Sequence, residues 1–310
     1  MLRNPLLVCA LLFGLSASAQ ADADSLTDNL GPRELALGES MRAEAVGSLS
    51  TVLTPAGLAL NRQLVFEGSY GYRTLDSASI ASISACDSTT PVGGCFYYHY
   101  LSAEPDGTGM ETNKRRFHDG GLTAAKALSP QILIGTNTHF FDYNSDIEGE
   151  GDVRGYAVDV GAIVKPSSLV SVAAVGYNLV GTESSQYPRA VATGLSLRPG
   201  QGALGISLDA LWNLDLESDQ KKGRYGGGVE YFVQQGPAGY PIRVGGVQDV
   251  TTDKGYLTFG LGYANAKMGF DVGGRRQVSG MGKELIIQAG LRLVGPCAMT
   301  LAQEEGLEAA

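Results

Sequence analysis

The sequence is poor in the groups from which soluble enzymes build sites. Among 310 residues there are three histidines, four cysteines without a C-x-x-C pair and one tryptophan. No zinc site can be assembled from that spacing, and neither a metal nor a cofactor is expected. Charged residues make up only 18%, against roughly 25% in ordinary soluble domains. Basic residues number 23 against 32 acidic ones, a balance that gives no electrostatic basis for nucleic acid binding. After the first 21 residues no long uninterrupted apolar stretch remains, which excludes spanning helices.

Glycine, by contrast, is abundant, at 43 residues. Residues 1–21 read as a secretory signal, with Arg3, an apolar run from Leu6 to Leu15 and small residues thereafter. Cleavage after Ala19 or after Ala21 fits equally, and the run is too short for a membrane anchor. An exported chain suits an oxidised pair, and Cys86 and Cys95 enclose a Ser/Thr/Pro/Gly segment that a disulfide would staple as a loop. Cys297 has no evident partner.

From Arg62 to Val294 the chain is a succession of alternating segments. In Gly202–Glu217 the face Leu204, Ile206, Leu208, Ala210, Trp212, Leu214, Leu216 opposes a face of Gly, Ser, Asp, Asn and Glu. That apolar face is longer than soluble strands need and suits a strand crossing a bilayer. Links are alternately tight, as at Ser129-Pro130, Pro166–Ser168 and Asn265-Ala266, and long, as at Leu75–Arg115 and Asn144–Gly151. This asymmetry is that of outer-membrane barrels and weighs against a secreted β-sandwich. The expectation is an all-β, antiparallel transmembrane barrel of about 12 strands, with 14 as the alternative. The chain then divides into a signal peptide (1–21), a short luminal hatch (22–61), the barrel (62–294) and a C-terminal tail (295–310) in the outer membrane of a Gram-negative-type cell. Outer-membrane lipid is the expected surrounding.

The inward parity carries charges of both signs, among them Glu67, Asp159, Lys165, Asp215, Arg224, Glu230, Arg243 and Arg275. Mixed signs predict cross-lumen pairing, not an ion filter. Gly71, Gly135, Gly161, Gly226, Gly228, Gly245 and Gly273 share that face and leave room for an inserted segment. His139, on the parity of Asn137, lacks a nucleophile at recognisable spacing, so no enzyme is expected. A surface lipid hydrolase is the alternative that would need His139. Gly200–Gly205 satisfies G-x-G-x-x-G but opens a strand, and Asp142–Asp152 lacks the glycine and glutamate of a calcium loop.

Residues Arg33–Gly38, Met41 and Ala43, followed by Thr54-Pro55-Ala56-Gly57-Leu58-Ala59 and an aromatic strand, resemble the N-terminal hatch of the FadL-type fatty-acid transport family and its PorV-like relatives. Thr54 stands where that family carries Asn, and Glu39-Ser40 replaces a tighter Gly-Met-Gly. The family's barrels have 14 strands, and Phe96–Leu101 would supply the missing pair. The resemblance implies passive uptake of hydrophobic small molecules such as fatty acids, with sideways release after a hatch movement. It places the hatch and ligand path at Thr54, Pro55 and Ala56, to which the inward-facing Asn137, His139, Arg224 and Glu230 are added. Its PorV-like side implies the alternative, a non-transporting partner in the assembly or anchoring of exported proteins.

Overall fold

The computed structural model describes residues 29–104, 114–147, 151–184, 187–199, 203–216 and 223–295. The expected signal peptide, residues 296–310 and Cys297 lie outside these. Fourteen strands, β1 (Leu64–Arg73), β2 (Ala78–Asp87), β3 (Val92–Ala103), β4 (Arg115–Ala127), β5 (Ile132–Ser145), β6 (Val153–Val164), β7 (Val170–Gly181), β8 (Ala190–Leu197), β9 (Leu204–Asn213), β10 (Gly223–Gln235), β11 (Ala238–Asp249), β12 (Lys254–Ala264), β13 (Met268–Ser279) and β14 (Leu285–Gly295), pair in sequence order. The sheet closes where β1 meets β14, in the antiparallel register Leu64 to Gly295 through Arg73 to Ile286. Closure leaves no strand edge unpaired, which a sheet in hydrocarbon requires.

The count is 14, the stated alternative to 12, and the extra pair lies in the stretch expected to be one long link, Leu75–Arg115, around Phe96–Leu101 as that alternative had it. That stretch holds the β2–β3 hairpin. β2 hides from a period-two reading because its outward residues are Ser79, Ala81, Ile83, Ala85 and Asp87, while its other isoleucine, Ile80, faces inward. Cys86 and Cys95 are cross-strand neighbours joined by a disulfide. The bond therefore lies inside a hairpin, close to its four-residue turn 88–91, and not in a long loop.

Links at the end where the chain enters at Leu64 and leaves at Gly295 are short: 88–91, 128–131, 165–169, 198–203, 236–237 and 265–267. Those at the opposite end include 104–114, 146–152, 182–189 and 214–222. The two ends are called the turn end and the loop end below. Lys165 and Asp215 belong to links and not to the inner wall, and Asp215 pairs with Arg189 at the loop end.

Outward side chains are large, apolar and exposed, as with Ile83, Leu122, Val160, Leu208, Val244, Phe259 and Leu291. Aromatic rings border this belt: Tyr240 and Tyr263 sit 5.7 Å apart near the turn end, and Trp212 lies edge-on to Tyr225, 6.2 Å away, near the loop end. An apolar band between aromatic girdles is a lipid-facing surface. The buried side chains line the lumen and the segment within it.

Candidate functional site

Residues 29–61 fill the lumen. They form helix α1 (Pro32–Ala36), a single helical turn at Arg42–Glu44, helix α2 (Leu49–Val52) and another turn at Pro55–Ala59. Helix α1 begins at Pro32, whose missing N–H costs nothing at a helix start, and the Glu34 carboxylate accepts from the Gly31 N–H at 2.6 Å. The chain then doubles back through Gly38, Glu39 and Met41, all at positive φ.

The wall is shaped to receive this segment. An added Cβ at Gly226 would lie 1.9 Å from the Gly38 carbonyl oxygen, and one at Gly273 would lie 2.0 Å from that of Pro32. Gly228, Gly245 and Gly260 make room for Ala36–Gly38 in the same way, while Gly135 and Gly161 take Pro55. The Gly38 N–H donates to Thr258 Oγ1 at 3.0 Å, and the Thr258 hydroxyl donates to the Ala36 carbonyl at 3.0 Å.

Ion pairs fasten the segment to the glycine-rich wall. Glu39 accepts from Arg224 (2.7 and 2.8 Å) and from Arg275. Arg42 donates to Asp209 at 3.0 Å and to the Tyr177 hydroxyl at 2.9 Å. Glu44 pairs with Arg198 at 2.5 Å, and Arg33 joins Arg198 and Arg243 around Glu230. Burial opposes ionisation of Glu39, but Arg224 and Arg275 outweigh it and hold its carboxyl down at about 2. For Glu34 burial outweighs the Gly31 N–H and the Arg33 charge and pushes its carboxyl up to about 7.

On the other side of the lumen lies a compact polar cluster. His139 Nδ1 is 3.0 Å from Asp119 Oδ1, and its Nε2 is 3.7 Å from Asp159 Oδ2. Asn137 donates to Asp159 at 3.0 Å and to the Tyr97 hydroxyl at 2.8 Å, and accepts from Thr123. Asn29 reaches Asp119 from the inserted segment at 3.2 Å. Toward the loop end this cluster is roofed by apolar side chains that include Ile80, Leu101, Phe117, Phe141 and Tyr187.

Between the segment and β1, β13 and β14 there is a cavity of about 50 Å³ lined by Glu34, Glu67, His99 and Arg292, among others. A cavity of that size has room for a few waters and none for a hydrocarbon. Outside the wall from Gly135 and Gly161, a shallow groove of about 700 Å³ crosses β4–β8 over Ala124, Thr136, Ala162, Ala174, Gly176 and Thr193. Beside it the β6–β7 register slips between Val158 and Val160, with Asn178 at positive φ.

The residues expected in one path separate into three places. Thr54, Pro55 and Ala56 are buried against the wall at Gly135 and Gly161, with the Thr54 hydroxyl on the Leu53 carbonyl. Asn137 and His139 belong to the polar cluster, and Arg224 and Glu230 belong to the fastening. Glu39, Arg42 and Arg198 escaped sequence reasoning because their partners lie far along the chain. Asp119 was legible from its inward parity on β4, and Tyr187, in a link, was not.

A scan of the sequence against protein-family profiles finds no match, and none of the curated proteins matches it. Solved structures do share the fold. The CymD monoaromatic hydrocarbon channel superposes with a TM-score of 0.65 at 11% identity, covering 86% of this chain and 97% of that one. The Pseudomonas putida toluene transporter TodX gives 0.64 at 10% identity over 86% and 98%. A Pseudomonas aeruginosa FadL homologue gives 0.61 at 9% identity over 85% and 98%. The 14-stranded barrel with a filled lumen is thus the FadL-type fold.

Proposed function

We propose that this chain is exported to the outer membrane and there carries hydrophobic small molecules inward by passive uptake, with residues 29–61 acting as its hatch. The observation that carries this reading is the inside of the barrel: a cluster of buried apolar and aromatic side chains at the loop end stands above an inserted segment seated on wall glycines. An apolar lining with a few convergent polar groups is the usual form of a small-molecule site. An open pore would need no inserted segment. The solved proteins of this fold are described as hydrocarbon channels and transporters, which supports the same reading.

The seating is asymmetric. Toward β8–β14 the hatch is held by ion pairs, whereas toward β3–β7 its Pro55–Ala56 turn rests on glycines by contact alone. Contact without charge pairing is the weaker hold, so Pro55–Ala56 is the part that yields. Behind it the wall is thin, its register broken, and its outer face grooved. A solute passing the hatch there leaves sideways into lipid.

The test uses purified protein in vesicles whose outer leaflet is lipopolysaccharide, a barrier to hydrocarbons. Entry of labelled toluene and labelled oleate is measured against empty vesicles. Faster entry of at least one is expected. Equal rates with and without folded protein refute the proposal.

A further inference from the structure

Tyr187 sits in the buried apolar cluster at the loop end in a way that its own chemistry does not satisfy. Its ring stacks on Phe141, with centroids 3.8 Å apart and planes at 18°, and lies 5.6 Å from both Phe117 and His139. Ile80, Leu101 and Ala157 close the apolar wall around it. The ring is therefore well housed, yet its hydroxyl is buried without a hydrogen-bond partner among the described residues. Such a group carries the full cost of losing water. It is not alone. Asn178 Oδ1 and both ring nitrogens of His99 are likewise buried without a hydrogen-bond partner among the described residues, whereas His139 Nε2 has Asp159 at 3.7 Å. The backbone holds Tyr187 in place, because Asn178 Nδ2 donates to the carbonyl of Pro188 and Tyr187 bridges to Ser184. The tether sets how deep the ring can reach.

We propose that the place held by the Tyr187 ring is a binding site for a neutral phenol-like molecule, an aromatic ring bearing one hydroxyl, and that Tyr187 is its resident competitor. The inference rests on the uptake reading and names a substrate class for it. A free ring can stack on Phe141 as Tyr187 does. Being untethered, it can also settle until its hydroxyl meets the acceptors below, which are Asp119, Asp159 and the Asn178 amide oxygen. The charge of this floor sets the preference. Two carboxylates, Asp119 and Asp159, share the His139 imidazole, so an incoming carboxylate meets like charge whereas a phenol, neutral at pH 7, meets acceptors for its proton. The site thus favours phenols over aromatic or fatty acids of equal size.

Binding by the full-length protein in detergent micelles tests this, with 4-ethylphenol and 4-ethylbenzoate as matched probes in equilibrium dialysis. Tyr187→Ala removes the competitor and is expected to tighten 4-ethylphenol binding about tenfold, with no gain for 4-ethylbenzoate. Adding Phe141→Ala to that variant should abolish the gain. Tyr187→Phe keeps the ring and sheds its unpaired hydroxyl, so it should bind 4-ethylphenol more weakly than the native protein. If Tyr187→Ala does not fold, as judged by circular dichroism, Tyr187→Phe alone decides by its direction. Unchanged or stronger phenol binding in Tyr187→Phe, no gain in folded Tyr187→Ala, or equal gain for both probes overturns the proposal. Vesicle uptake of toluene that survives such a result leaves the transport reading intact, while binding without any uptake removes the transport reading alone.

Discussion

Replacing Glu39 by Gln should loosen the hatch and leave the barrel standing. The Glu39 carboxylate is gripped by two guanidiniums, with Arg224 at 2.7 and 2.8 Å and Arg275 on its other side. Each arginine also has a wall partner, Asp249 for Arg224 at 2.6 Å and Glu284 for Arg275 at 2.5 Å. The substitution keeps the volume and the wall pairs, so the loss falls on the seating of residues 29–61. Removing one partner of a buried ion pair costs about 3–5 kcal/mol. The carboxyl held at about 2 instead of its ordinary 4.5 corresponds to about 3 kcal/mol at 1.36 kcal/mol for each pH unit, in line with that range. Hydrogen exchange read by mass spectrometry separates the two bodies: hatch peptides should lose about 100- to 5,000-fold in protection, and strand peptides should be unchanged. Because the folded value lies below the unfolded one, the contribution is complete above pH 4.5 and is lost as pH falls through about 2. The native hatch should therefore loosen across that window, and the variant should lack this component. Hatch protection unaltered by the substitution, or strands loosened as much as the hatch, would refute the reasoning.

Glu34 titrates with the opposite sign. Burial raises its carboxyl to about 7, so its stabilising share is present below pH 4.5 and lost as pH rises through 7; hatch protection around α1 should fall between pH 5 and 8, and Glu34→Gln should remove that dependence. Gly226→Ala places a Cβ 1.9 Å from the Gly38 carbonyl oxygen and should destabilise the seated hatch by about 1–3 kcal/mol. The control Gly94→Ala has nothing within 4 Å and should stay within about 0.5 kcal/mol of native in urea unfolding. Leu208→Arg, at a site 52% exposed in the middle of β9 on the lipid face, should cost about 2–4 kcal/mol in a reversible refolding assay; indifference there would count against a bilayer around the barrel.

The sequence declares this barrel wherever lipid-facing residues are large. β9, β10, β12 and β14 show their parity openly, because every second side chain is Leu, Ile, Val, Tyr or Phe over most of the strand. β2 spends most of its outward positions on Ser and Ala, which lipid tolerates and pattern does not register, so the β2–β3 pair was legible only through the aromatic Phe96–Leu101 and the 14-strand alternative. The luminal contacts were opaque for a different reason. Glu39 and Arg224 stand 185 positions apart, and nothing local in either tells which charge will face it once a ring has closed. The wall nevertheless carries a trace of what it holds. Its inward positions read Arg224, Gly226, Gly228, Glu230 on β10, then Arg243, Gly245, Val247, Asp249 on β11, and Asp271, Gly273, Arg275, Gln277 on β13. A glycine there is a place where another backbone must come within contact, since its missing Cβ would strike Leu37, Gly38 or Pro32. A charge flanking it is a place where that backbone is gripped. Water alone would ask for neither arrangement, because a hydrated wall gains nothing from removing side chains and little from pairing opposite charges. Glycine flanked by charges of both signs on one strand face is therefore the mark of a wall built to hold an inserted segment, and it is the part of this site that a sequence can show.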